Sequence, residues 1–181
     1  MKRSYGIILL IALAVFAFTA SSTEAQVTTA NGPYYAPPSW DQTLPSSTRF
    51  IVLSNFNNEA VLDRTTGLVW ERSPATTHAA WVTIRFNCAN KVVGGQKGWR
   101  LPSFPELASL VDPSVTNPSL PVGHPFINVL SAFYTSATTD ADTPTNVWIV
   151  LFGSGSVISS NKTDGGLIAW CVRGGMTADQ Y

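Results

Sequence analysis

Three carboxylates and one amide, Asp140, Asp142, Asp164 and Asn146, stand in the polar stretches around a late apolar run of the chain. Oxygens of this kind hold sugar hydroxyls, amides or a hard cation such as calcium, which takes about six to eight of them. These four are the candidate ligand-binding residues, set against the plainer reading of a solvated acidic loop. Acid/base and metal chemistry find less material. His78 and His124 are the only histidines, the first near a predicted helix start and the second in a Pro-rich loop, and both read as surface residues rather than catalytic bases. No Gly-x-Ser-x-Gly elbow, His-Glu-x-x-His zinc helix or phosphate-cradling Gly-rich loop occurs. No catalytic residue, metal ligand or cofactor is therefore assigned, and the chain reads as a non-enzyme.

Two further reactive side chains are Cys88 and Cys171, whose chemistry depends on compartment. Lys2 and Arg3 form a positive n-region, Ile7 to Phe18 an apolar core, and Thr23-Glu24-Ala25 places small residues on either side of Glu24, before a cut at Gln26. Residues 1–25 thus read as a secretory signal peptide. The apolar run stops short of the ~20 residues a spanning helix needs, and no later stretch could cross a bilayer. The expected location is secreted, periplasmic or cell-envelope, where a pair of thiols oxidises. One Cys88–Cys171 disulfide is expected, and closing so long a loop would stabilise the fold by roughly 4–5 kcal/mol in the chain-entropy model. A thiol-based redox site is correspondingly disfavoured.

Eleven Lys+Arg balance eleven Asp+Glu, for zero net charge at pH 7. Without a basic run or patch a nucleic-acid partner is disfavoured, because phosphate binding needs clustered cations that displace counterions. Six Trp, nine Phe and five Tyr are ample for one core. Residues 26–47 hold Pro33, Pro37, Pro38 and Pro45 among Ser, Thr, Asn and Gly, which predicts an extended linker. A single domain follows over 48–174, with 175–181 as a tail.

The elements that must position the candidate residues lie in that domain. Phe50-Ile51-Val52-Leu53 and Ala60-Val61-Leu62 flank a polar turn and predict a hairpin. Asp63 opens the next turn beside a solvated Arg64, Gly67 closes it, and Leu68-Val69-Trp70 continues as a third strand. Trp81, Ile84, Cys88 and Val92 recur at helical spacing, predicting a helix over about 77–93 that Gly94-Gly95 ends. Ser103 and Glu106 form a capping box that starts a second helix with Leu107, Leu110 and Val111 on its apolar face. Residues 112–146 carry five prolines and predict one long irregular region, of the kind that often carries function. Val147 to Phe152, Ser156 to Ile158 and Leu167 to Arg173 predict a closing antiparallel meander. The sum is an α+β fold, two helices packed on short antiparallel sheets. Trp70, Trp81, Trp99 and Trp170 read as core, and Arg100 as a loop anchor through its fixed fork of donors. The long region and the turn at Asn161 to Gly166 are the expected partner surface.

The ordered motifs resemble one family. They are Leu62-Asp63-Arg64-Thr65-Thr66-Gly67-Leu68-Val69-Trp70, the helix with Trp81 and Cys88, the Gly94-Gly95 stop, Gly98-Trp99-Arg100-Leu101-Pro102 leading to Glu106-Leu107, and the ending Cys171-Val172-Arg173. Over about residues 48–174 they look like the bacterial Lcl C-terminal domain family. The resemblance implies a C-type-lectin-like fold with a helix-to-last-strand disulfide at Cys88 and Cys171. It also implies an exported module for adhesion or for recognition of a glycan or an extracellular surface protein. Where relatives commonly show an aromatic-Trp-Ser-Ser-Thr strand, this chain has Phe133-Tyr134-Thr135-Ser136-Ala137-Thr138, which leaves ligand preference open. Calcium-dependent sugar binding in C-type lectins uses a Glu-Pro-Asn or Gln-Pro-Asp triplet; the comparable Thr143-Pro144-Thr145 lacks the carboxylate. Calcium is therefore an option without a lectin calcium motif behind it. A structural envelope module is the alternative function. An enzyme of the formylglycine-generating branch of the fold ranks lower, since it would require reactive cysteines.

Overall fold

The computed structural model describes residues 44–175; the expected signal peptide, most of the expected linker and the end of the expected tail lie outside the described residues. Pro45 leads into one helical turn, α1 (Ser46–Arg49), and then β1 (Phe50–Val52). The expected hairpins follow, β1 pairing antiparallel with β2 (Ala60–Asp63) and β2 with β3 (Leu68–Glu71). The β1–β2 connection is more than a polar turn, because its 3-10 segment Ser54–Phe56 drives Phe56 into the core. Asp63 does open the next turn, its Oδ1 accepting the Thr65 N–H at 3.0 Å. It is also fully buried, held by Arg49 through bonds of 3.0 and 2.8 Å, while Arg64 stays exposed.

α2 (Trp81–Ala89) is shorter at both ends than the apolar spacing predicts. At its start the backbone is already claimed, with Ala79 N–H donating to the Leu167 carbonyl and Trp81 N–H to the Lys162 carbonyl. Beyond its end Val92 is exposed, and Val93 enters the core instead. Gly94 has φ +56° and lies against the Phe56 backbone, which any Cβ would overlap, so glycine alone fits there. β4 (Trp99–Arg100) leads to α3 (Phe104–Ala108), whose capping box is formed as expected: Ser103 Oγ accepts the Glu106 N–H at 3.4 Å and the Glu106 carboxylate accepts the Ser103 N–H at 2.8 Å. Arg100 is the expected anchor, bonded to both Glu106 oxygens and to the Gly174 carbonyl.

Two expectations about the second half are corrected. The irregular region does not run through to 146, because Phe133–Thr139 is a strand, β5. Its Thr and aromatic residues suit a pleated surface, a signal hidden by the prolines on either side. The closing strands also do not form one meander. β5, β6 (Asn146–Leu151) and β7 (Ser156–Asn161) make a three-stranded antiparallel sheet, and the chain then leaves it so that β8 (Val172–Arg173) inserts between β3 and β4. The five-stranded sheet has the order β1-β2-β3-β8-β4.

This arrangement follows from two cores on opposite faces of the hairpin. Ala60, Leu62 and Val69 face a core with Trp81, Ile84, Cys88, Trp99, Val147 and Ile149. Val61, Leu68 and Trp70 face a second core with Leu107, Leu110, Leu120, Phe126, Tyr134 and Trp170. β2 and β3 are therefore buried at every position instead of alternating. Along 167–172 the residues alternate between the two cores, Leu167, Ala169 and Cys171 in the first and Ile168, Trp170 and Val172 in the second. A period of two is the same whichever sheet receives the strand, so the pattern alone cannot tell. The Cys88–Cys171 disulfide is formed, with a Cα separation of 5.5 Å, and ties α2 to the residue before β8. Among the described residues no helix is long and apolar enough to cross a membrane. The result is an α+β domain with few helices, antiparallel sheets and one disulfide.

Candidate functional site

β5 and β6 meet in a polar turn over 140–145, and β7 ends in a second turn over 161–166 that lies beside it. The two are adjacent because Asn146 is opposite Asn161 in the β6–β7 register and Lys162 N–H donates to the Thr145 carbonyl at 2.9 Å. Asp140 is largely buried. Its N–H donates to the Asn146 carbonyl and its Oδ1 accepts the Asp142 N–H, both at 3.1 Å, so this carboxylate shapes the turn. Asp142 is exposed at the turn crest and Asn146 half-buried at its base. In the adjoining turn Asp164 is exposed, its Oδ1 accepting the Gly166 N–H at 2.8 Å and its Oδ2 the Ser160 hydroxyl at 3.0 Å. Those two bonds, the Gly166 amide first, hold the Asp164 carboxyl below its ordinary pKa.

Lys162 locks the pair of turns together. Its Nζ donates to Thr139 Oγ1 at 3.0 Å and to the Pro144 carbonyl at 2.8 Å, and stands 5.0 Å over the Trp81 ring, whose Nε1 bonds the Ser136 carbonyl. The structure thus brings Asp140 and Asp142 into one turn, Asn146 to the start of β6 at its base and Asp164 into the neighbouring turn. Among the described residues no three His, Cys, Asp or Glu side chains gather as a metal-holding group.

A second polar feature has no motif in the sequence. A cleft of about 310 Å³ opens beyond the β2–β3 pairing, lined in part by Glu59, Glu71, Arg72, Lys91 and Ile127. Glu71 is 3% exposed; one oxygen accepts the Cys171 N–H at 2.7 Å and the other pairs with Lys91. Burial pushes its carboxyl pKa up in spite of Lys91 and that amide, which act to lower it. Glu59 and Arg72 are opposite one another, the Arg72 N–H donating to the Glu59 carbonyl at 2.9 Å. The signal for this cleft is the hairpin register: once Ala60 faces Glu71, Glu59 must face Arg72.

The histidines divide. His78 is exposed, as expected, but His124 is half-buried, its ring centroid 5.9 Å from that of Phe126 and its Nδ1 buried without a partner. Desolvation holds its pKa below the ordinary value of 6.5, outweighing the raising influence of the Phe126 backbone. The fold therefore favours the neutral ring, and stability is full above the unfolded His pKa and falls as pH drops through the lowered native value. Between about pH 7 and pH 5 the wild-type protein should lose more unfolding free energy than His124→Gln, which removes this titration while both keep the opposite contribution of Glu71. Urea unfolding of both proteins across that range checks it; a pH-independent difference would count against the burial of this ring.

Residues 59–173 match the family model described as the Lcl C-terminal domain. No curated protein matches the chain. The family match runs from the residue before β2 to the end of β8, and so contains both disulfide cysteines, the paired turns and most of the cleft. With more than half of its length inside that match, the chain belongs to the Lcl C-terminal domain family.

Proposed function

We propose that the chain is an exported, surface-associated binding module that recognises a glycan or an extracellular surface protein without catalysis. The paired turns over 140–145 and 161–166 form its contact surface. The observation that carries this reading is the Lys162 clamp, which holds two loops at fixed spacing on a three-stranded sheet and leaves Asp142 and Asp164 facing solvent. Binding groups concentrate on loops that a rigid scaffold positions, and pre-organised loops bind with less ordering cost. Family membership points to an extracellular, surface-associated module, and the buried disulfide suits an oxidising compartment. The same features support a C-type-lectin-like fold: few helices, antiparallel sheets, and a bridge from a helix to the residue before the last strand. Both cysteines are bridged and His78 is a solvated side chain, which favours binding over chemistry.

The test is a screen for a glycan or matrix-protein ligand, followed by Asp140→Ala, Asp142→Ala and Asp164→Ala at unchanged thermal stability. Asp142→Ala and Asp164→Ala are each expected to weaken binding by about tenfold, or about 1.4 kcal/mol. Undiminished affinity in all three variants would move the site elsewhere.

A further inference from the structure

We infer that the cleft between Glu59 and Arg72 binds a small zwitterion of the α-amino-acid class, its carboxylate on Arg72 and its ammonium on Glu59. This site is separate from the paired turns and does not depend on them. In an antiparallel pair, opposite residues present their side chains on the same face about 5 Å apart, and opposite charges there normally attract. Here they do not pair: the ion pairs among the described residues are Arg49–Asp63, Lys91–Glu71 and Arg100–Glu106. Each charge is instead drawn outward by backbone. Glu59 Oε2 accepts the Gly94 N–H at 2.7 Å, while Arg72 donates from Nε to the Pro125 carbonyl at 3.1 Å and from Nη1 to the Asn58 carbonyl at 3.3 Å.

Amides and carbonyls fix these side chains without neutralising them. Both side chains line about 310 Å³ of open space, close to the lower end of the range for small-molecule sites. The bonds of Arg72 use Nε and Nη1, which leaves Nη2 as the donor for a carboxylate. Glu71 and Lys91, which also line the cleft, pair with one another and leave Glu59 and Arg72 to set the preference. A simple anion would meet Glu59, a simple cation would meet Arg72, and a neutral sugar would match neither. A zwitterion matches both, and Ile127, 46% exposed on the cleft wall, offers apolar surface to its side chain.

The experiment is a titration of the ¹⁵N-labelled exported protein with valine, followed at the backbone amides of Ser73, Gly94 and Ile127. Acetate and ethylamine serve as single-charge controls. Valine should give saturable shifts at these amides, with each control at least about tenfold weaker. Glu59→Gln, which keeps the acceptor for Gly94 N–H, should weaken valine binding by about tenfold at unchanged melting temperature, and Arg72→Lys should do the same. If Arg72→Lys unfolds, Glu59→Gln alone decides. Absence of saturable shifts up to about 10 mM valine, controls that bind as well as valine, or full affinity in Glu59→Gln would each overturn the inference.

Discussion

Replacing Cys88 or Cys171 by Ser should lower the unfolding free energy by about 2–5 kcal/mol, a large part of the stability of a domain this size. Both cysteines are buried, and the bridge spans 83 residues. The bridge acts beside backbone bonds from Glu71, Ala75, Ala79 and Thr135 to the Cys171, Ala169, Leu167 and Ile168 carbonyls. β8 is two residues long and is registered only by Val69 and Trp70 on one side and Trp99 and Arg100 on the other. The Cys171 N–H is moreover a donor to the buried Glu71 carboxylate, so displacement of this residue would leave a charged acceptor short of a partner. Urea unfolding of the oxidised protein against the variants measures the effect, and a Cys88→Ala/Cys171→Ala double variant separates loop closure from the burial of a new hydroxyl. A loss below about 1 kcal/mol would contradict the role given to the bridge.

Trp170→Ala should cost about 3–5 kcal/mol. Its ring meets those of Trp70, Phe126, Tyr134 and Phe152 at centroid distances of 5.9, 5.0, 5.5 and 5.3 Å, and its Nε1 donates to the Glu71 carbonyl at 2.9 Å. Removing it opens a cavity where the first sheet, the irregular region and the second sheet meet. Trp148 is the internal comparison. It is half-buried and stacks at a tilt on Phe104 at 5.7 Å, so Trp148→Ala should cost clearly less. Urea unfolding of the two variants side by side checks the ranking, and equal losses would contradict the placement of the second core.

What the sequence discloses is what depends on neighbours in the chain. The Ser103–Glu106 capping box, the Asp63 turn and the helical spacing of Trp81, Ile84 and Cys88 are local, and each is found where its pattern places it. The disulfide was legible because a predicted export signal implies an oxidising compartment, where two cysteines become a pair. Long-range choices were not legible. The start of α2 is set by bonds from Ala79 and Trp81 to Leu167 and Lys162, far along the chain, and the sheet that receives β8 is decided by packing on two cores at once. At the candidate site, Asp140 and Asp142 fall in one turn and Asn146 at its base because they lie at or just before the start of β6. The clamp from Lys162 and the divergence of Glu59 from Arg72 depend on pairing registers that composition does not carry.

The proposed recognition of a surface by the paired turns is tested most directly by binding of the protein to arrays of immobilised glycans and matrix proteins, read with calcium and again with a chelator. Saturable binding to at least one surface is expected, and it should survive chelation. Asp140 and Asp164 already accept donors within their own turns, and Thr143-Pro144-Thr145 offers no carboxylate. No binding to any glycan or matrix protein, or binding abolished by the chelator, would contradict the account.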